Sequence, residues 1–95
     1  MRISSLSTEY ITASVTATVA GVPIDVTGDV VAWAMVTPGS DPVTWITGDW
    51  AAGNARILVG PSGAAPLGKG VWDVWLKVTD SPEVPVRLIG QLAVD

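Results

Sequence analysis

The chain has 95 residues, of which 48% are hydrophobic and 15% charged, and its net charge is −4. This length accommodates one hydrophobic core, and the high apolar content excludes a disordered chain. The absence of cysteine and histidine excludes disulfides and removes the commonest general base and metal ligands. The five basic residues are scattered along the sequence and predict no basic patch, so we expect no nucleic-acid partner.

Residues 1–8 form a short polar arm that precedes a single predicted domain over residues 9–95. We expect this arm to fray in isolation, or to add a strand to the open edge of a neighbouring molecule in an assembly. The arm lacks the apolar stretch of a signal peptide, and no segment approaches the ~20 apolar residues of a membrane span. We therefore expect synthesis in a cytoplasm and no membrane partner.

The first part of the domain predicts two strands joined by a turn. Residues 10–19 alternate between apolar and mostly hydroxyl-bearing side chains, which is typical of a half-buried strand. Ala20-Gly21 predicts a turn, and residues 22–26 predict a short return strand. Pro23 cannot donate a ladder hydrogen bond, so this strand is expected at a sheet edge or a bulge.

The strand predicted over residues 30–36 is apolar on both faces. One face carries Val31, Trp33 and Met35, and the other carries two alanines between two valines. We expect a central strand, with its large residues in the core and its alanines under a neighbour. The elements predicted next are a loop over 37–42, a strand over 43–47, a connector over 48–54 and a strand over 55–59.

The last third predicts an irregular loop over residues 60–70 and then two long strands, over 70–79 and 84–94, joined by a turn at residues 80–83. No helical periodicity is present. Short strands with turn signals every eight to twelve residues or so predict an all-β fold. We expect an immunoglobulin-like β-sandwich of about seven antiparallel strands.

The five tryptophans must fill the core of a chain that has no phenylalanine. Trp33 lies in phase with Val31 and Met35, and Trp72 lies in phase with Val74 and Leu76, so both are expected in the core.

The other three tryptophans leave alternatives open. Trp75 lies on the opposite face of its strand, as either a half-covered surface aromatic or an interface anchor. Trp45 and Trp50 flank a Gly-Asp turn, where aromatic rings could stack on a sugar, although a core plug or a subunit contact is favoured.

The polar residues form no catalytic pattern. Most aspartates occupy predicted turns, where their side chains cap the backbone, and a small sandwich rarely offers the cleft that a pair of catalytic carboxylates needs. No loop has the alternating spacing of a Ca²⁺ site, and no His or Lys is placed to activate a hydroxyl. We expect no enzyme, cofactor or metal. The remaining enzymatic alternative, a small hydrolase, would depend on Asp49 or Asp73.

Four runs of the sequence together resemble a known family: GVPIDVTGDVVAWAMV, TWITGDW, ARILVGPSG and GVWDVWLKVTDSPEVPVRLIGQLAV. They resemble small immunoglobulin-like proteins encoded among the virion genes of tailed bacteriophages, especially those that infect actinobacteria. The last run also resembles the N-terminal domain of phage baseplate upper proteins, whose long C-terminal regions have no counterpart in this sequence. The resemblance implies a structural virion part without catalytic residues. It also implies a core framework of Gly70, Trp72, Val74, Leu76 and Val78.

We therefore expect a non-enzymatic virion protein, made in the host bacterial cytoplasm, that docks on the capsid or the head–tail connector and reinforces it through an apolar strand face. Its expected partners are other virion proteins, with a homo-oligomer in the assembly as a further possibility. The alternative is a tail- or baseplate-associated module that binds a host surface or carbohydrate through the Trp45–Trp50 region. The predicted interface residues are Val71, Trp75, Trp45, Trp50 and Tyr10.

Overall fold

The computed structural model describes residues 2–15, 17–19, 22–24, 28–79 and 84–95. These ranges contain ten strands and no helix: β1 (Arg2–Ile3), β2 (Glu9–Ser14), β3 (Ala17–Val19), β4 (Val22–Ile24), β5 (Val30–Val36), β6 (Ile46–Thr47), β7 (Asp49–Ala51), β8 (Asn54–Val59), β9 (Gly70–Thr79) and β10 (Val86–Val94). The predicted turns at Ala20-Gly21 and at residues 80–83, and the predicted strand end at residues 25–26, lie outside the described residues. The all-β prediction is confirmed.

The strands form two main sheets and a separate hairpin. The five-stranded sheet has the order β1-β10-β9-β5-β6 and is antiparallel except for the parallel pair of β1 and β10. The three-stranded sheet has the order β2-β8-β7 and is antiparallel. The hairpin of β3 and β4 pairs Thr18 with Pro23. No helix capable of spanning a membrane occurs in the part of the chain that the structure describes.

The two main sheets share one hydrophobic core, to which each contributes every second residue of its strands. The five-stranded sheet contributes buried side chains such as Trp33, Val74 and Leu92, and the three-stranded sheet contributes Ile57 and Val59. Alternate residues of a strand point to opposite faces, so each sheet has one face in this core and one outer face. The arrangement is a two-layer β-sandwich.

Strand β5 is central, as its two apolar faces predict. β9 pairs with it along its full length, and β6 pairs with its other side at Ala32 and Trp33. Val31 and Trp33 are buried in the core, whereas Ala32 and Ala34 are buried on the outer side of the sheet.

Three predicted elements differ from the observed ones. The strand predicted over 10–19 is interrupted after Ser14, because its partner β8 begins at Asn54, which pairs with Ser14. The strand predicted over 43–47 is confined to β6. The connector predicted over 48–54 contains β7, which turns into β8 through Ala52 and Gly53 at φ values of 50° and 80°. These left-handed φ values are typical of a two-residue hairpin turn, but Ala-Gly is not among the residue pairs that usually predict such a turn.

The described part of the N-terminal arm adds a strand to its own domain. The Asp95 amide donates to the Ile3 carbonyl at 2.9 Å, and the Ser5 amide donates to the Asp95 carbonyl at 2.7 Å. The Arg2 guanidinium also pairs with the Asp95 carboxylate at 2.6 Å. Both of these charged side chains are exposed, so this ion pair adds little stability, and the backbone bonds hold β1 in place.

Gly48 connects the two main sheets at a point where there is no room for a side chain. Its amide donates to the Val31 carbonyl of the five-stranded sheet at 2.9 Å. A Cβ atom at this position would lie 2.5 Å from the Arg56 carbonyl oxygen of the three-stranded sheet and 2.6 Å from the Trp33 indole nitrogen. The chain therefore crosses between the layers with its backbone directly against the largest buried side chain.

Candidate functional site

The residues predicted to form one interface lie in three different places. Val71 and Trp75 alternate with buried residues of β9 and project from the outer face of the five-stranded sheet. Trp45 stacks on a lysine of that same face. Trp50 packs against the core instead. Tyr10 projects from the outer face of the three-stranded sheet, on the opposite side of the sandwich.

The outer face of the five-stranded sheet, which we call the docking face, carries exposed apolar residues on three adjacent strands. Val30 of β5 is 58% exposed, Val71 of β9 is 49% exposed and Leu88 of β10 is 51% exposed. Between them lies Trp75, which pairs across the sheet with Ala34 on one side and Leu88 on the other. These exposed side chains are spread over three strands, with Val30 opposite Thr79 at one end of β9 and Val71 near the other end.

The two charged residues beside Trp75 on this face are both engaged within the protein. Asp73 is only 6% exposed, and its carboxylate accepts hydrogen bonds from the Gly39 amide and the Gln91 side-chain amide, each at 3.0 Å. The Lys77 ammonium lies 4.5 Å from the centroid of the Trp45 ring, within the range of a cation–π interaction. Residues 37–45 are thus held at both ends against the stretch of β9 that carries Trp75.

Trp75 is itself half-buried, and its indole nitrogen is fully buried with no hydrogen-bond partner among the described residues. A buried donor without an acceptor costs about 1–3 kcal/mol. The indole does not stand free on the docking face, and the surface that a partner meets first consists of Val71, Leu88 and Val30.

The predicted core framework is mostly buried, with three exceptions. Met35 and Trp72 are partly buried and pack against the core from its margin, and the Trp72 indole donates to the Gly68 carbonyl at 3.0 Å. Gly70 is exposed at the start of β9, where an added Cβ atom would meet nothing within 4 Å. The buried members are Val31, Trp33, Val74, Leu76 and Val78.

Trp45 and Trp50 do not form a common platform for a sugar. Trp45 lies on the docking face, while Trp50 is directed toward the core side of its sheet, opposite the fully buried Ala55. The Trp50 indole donates to the Asp29 carbonyl at 2.8 Å. The carbohydrate alternative therefore gains nothing from this pair of tryptophans.

A second constellation lies on the outer face of the three-stranded sheet, around a surface depression of about 250 Å³. There the Arg56 guanidinium forms two hydrogen bonds to the Asp49 carboxylate, at 2.9 and 3.0 Å, and lies 4.1 Å from the centroid of the Tyr10 ring. The hydrogen bond from Arg56 lowers the pKa of Asp49, and the same bond raises the pKa of Arg56. We call this depression, with its cluster of three side chains, the Tyr10 pocket.

The sequence alone does not predict the Tyr10 pocket, although it contains one usable signal. Asp49 and Arg56 lie seven residues apart on either side of a glycine-containing turn, which is the spacing of directly opposed residues in a tight hairpin. Because residues 48–54 are predicted as an irregular connector, no hairpin that pairs Asp49 with Arg56 is predicted.

The two carboxylates of the hydrolase alternative do not form a pair. Asp49 belongs to the three-stranded sheet and Asp73 to the docking face, so they lie on opposite sides of the sandwich. Each accepts hydrogen bonds from neighbouring protein groups. Within the described ranges, no group of three or more His, Cys, Asp or Glu residues is placed to hold a metal ion.

No family model, curated protein or solved structure matches the chain. The resemblance to phage virion proteins stays a prediction from sequence, and the function is argued from the two outer faces of the sandwich.

Proposed function

We propose that the protein is a non-enzymatic structural component of a tailed-phage virion. It docks on the capsid shell through the docking face and reinforces it. The virion assignment rests on the resemblance of the four sequence runs. The observation that carries the mechanism is the set of half-exposed apolar side chains, Val30, Val71 and Leu88, on three adjacent strands of one face.

The charge distribution of this face supports a protein partner. Charged residues are depleted from the centres of protein interfaces, because an unpaired charge loses its hydration there. On the docking face, Asp73 already accepts two internal hydrogen bonds, and Lys77 is stacked on Trp45. Residues 37–45 already cover the two charges at the centre of the face, so a partner meets the apolar side chains around them first.

The strength of a single contact is expected to be low. Burying apolar surface contributes about 25 cal/mol per Å², and stable pairwise complexes bury about 800 Å² on each partner. A few half-exposed aliphatic side chains supply only part of that area. Copies that also contact one another on a symmetric shell compensate, since linked weak contacts gain by avidity.

The proposal is tested by counting copies of the protein in purified particles of the phage that encodes it, using quantitative mass spectrometry. We compare Leu88→Ser on the docking face with Leu6→Ser on the arm. Leu6→Ser is the same chemical change at an exposed site outside the strands of that face. Losing about 1 kcal/mol of apolar burial should weaken each Leu88→Ser contact roughly fivefold. Leu6→Ser should be incorporated like the wild type.

Three results would contradict the proposal or part of it. Absence of the wild-type protein from particles would remove the virion assignment. Equal incorporation of the wild type, Leu88→Ser and Trp75→Ala would contradict the role of the docking face and leave the virion assignment unchanged. Recovery with connector complexes and not with shells would move the partner from the capsid to the neck.

A further inference from the structure

The Tyr10 pocket lies on the side of the sandwich opposite the docking face, and the proposed docking does not use it. Four parts of the chain build it: β2, β8, the β6–β7 crossing and the loop that follows β8. The lining residues that matter here are Tyr10, Thr47, Asp49, Arg56, Leu58 and Ala64. The surrounding backbone is fixed, because the loop after β8 folds back through hydrogen bonds from the Ala65 amide to the Leu58 carbonyl and from the Gly60 amide to the Ala65 carbonyl.

The charges of the pocket are balanced. Arg56 and Asp49 neutralise each other through two hydrogen bonds, and the net charge of the whole chain is −4. An anionic ligand would be repelled by the carboxylate of Asp49 and by the negative charge of the whole protein, while a cation would be repelled by the guanidinium of Arg56. An uncharged ligand meets neither repulsion.

The same ion pair offers adjacent donors and acceptors to such a ligand. Two of the five guanidinium N–H groups of Arg56 bind Asp49, and the exposed carboxylate of Asp49 keeps free lone pairs. A donor and an acceptor held side by side match neighbouring hydroxyl groups, each of which both donates and accepts. Thr47 adds a further hydroxyl on the wall of the pocket.

The remaining wall is apolar and includes the Tyr10 ring, one face of which is covered by the Arg56 guanidinium. Tyr10 is 50% exposed and lies across the sheet from Leu58, with Ala64 nearby. The volume of about 250 Å³ is smaller than the roughly 300–1,000 Å³ of pockets for drug-sized ligands, so it accommodates a single ring. A ring with C–H groups on one face and hydroxyls at its edge fits both walls.

From this geometry we infer that the Tyr10 pocket binds one ring of a neutral saccharide. Leu58 and the part of the Tyr10 ring that Arg56 leaves exposed contact the C–H face of the sugar, and the Arg56–Asp49 pair holds two neighbouring hydroxyls. This inference is independent of the proposed docking, since the site and its ligand lie on the other side of the sandwich.

The test is an NMR titration of the ¹⁵N-labelled protein with glucose, galactose, mannose and N-acetylglucosamine. At least one sugar should shift the amide signals of Gly48, Asp49 and Leu58 in a saturable way. Arg56→Lys keeps the charge but loses the two-pronged hydrogen bond, and it should weaken binding about tenfold. Arg87→Lys, the same change on an exposed residue of the other sheet, should leave binding unchanged.

Tyr10→Leu separates an aromatic contact from general apolar packing, and at this exposed position it should leave the fold intact while weakening binding several-fold. Inorganic phosphate and glucuronate are titrated in parallel as anionic probes. The inference is overturned if no neutral sugar shifts the pocket amides, if the anions shift them and the sugars do not, or if Arg56→Lys and Tyr10→Leu bind as the wild type does.

Discussion

Replacing Gly48 by alanine places a methyl group in a space that is already occupied. The new Cβ would lie 2.5 Å from the Arg56 carbonyl oxygen and 2.6–2.7 Å from two atoms of the Trp33 indole. Ordinary van der Waals contacts of a Cβ begin near 3.4 Å, so a shift of most of an ångström is needed. Neither neighbour yields easily, since the Arg56 carbonyl belongs to β8, the central strand of its sheet, and Trp33 is completely buried.

Overpacking of this kind costs about 1–3 kcal/mol, while the reduced freedom of alanine in the unfolded chain returns about 0.4–1 kcal/mol. We therefore expect Gly48→Ala to lower the free energy of unfolding by about 1–2 kcal/mol. For a domain of this size, each kcal/mol lowers the melting temperature by roughly 4–8 °C.

Thermal and urea unfolding followed by circular dichroism measures this change. Gly68→Ala is the matched control, because nothing lies within 4 Å of its Cβ position and its φ is not in the left-handed region. The control should be neutral or slightly stabilising. Equal stability of Gly48→Ala and Gly68→Ala would refute the close crossing between the sheets.

Two further predictions concern the aspartates. Asp73→Ala removes the acceptor shared by the Gly39 and Gln91 amides and should destabilise the protein by about 1–3 kcal/mol in urea unfolding. Asp73→Asn keeps one acceptor oxygen and should cost less. Equal losses of stability in the two variants would contradict the role of this carboxylate in holding residues 37–45. The pKa of Asp49 is lower in the folded protein than the ordinary aspartate pKa of about 3.9. The ionised carboxylate therefore stabilises the fold above that ordinary pKa, and this stabilisation is lost as the pH falls through the pKa of Asp49 in the folded protein. The stability difference between wild type and Asp49→Asn should therefore shrink in acid unfolding series below that range, and a difference independent of pH would contradict the Arg56 bond as its source.

Much of the strand framework could be predicted from sequence because it depends on local alternation. Large residues on one face and alanines on the other predict the central strand over residues 30–36. The strand over residues 70–79 matches its predicted bounds. Short strands such as β7 are not predicted, because the alternation needs several residues to be visible. The three residues of β7 are too few to show a period, and the turn at Ala52-Gly53 lacks the usual residue types.

The grouping of residues into sites could not be predicted, because it depends on which strands share a sheet. Tyr10 and Trp75 are both aromatic residues on non-core strand faces, and residue type alone places them in one interface. Their separation follows from the pairing of β2 with β8, two segments at least forty positions apart in sequence. This pairing builds a second sheet with its own outer face. The Tyr10 pocket depends on the same pairing.

The most direct test of the docking account is a cryo-EM map of the phage particle at a resolution that shows strand direction. The account predicts the domain on the shell with Val71 and Leu88 turned toward the capsid protein and Tyr10 turned toward solvent. A domain attached through its three-stranded sheet, with Leu88 facing solvent, would contradict it.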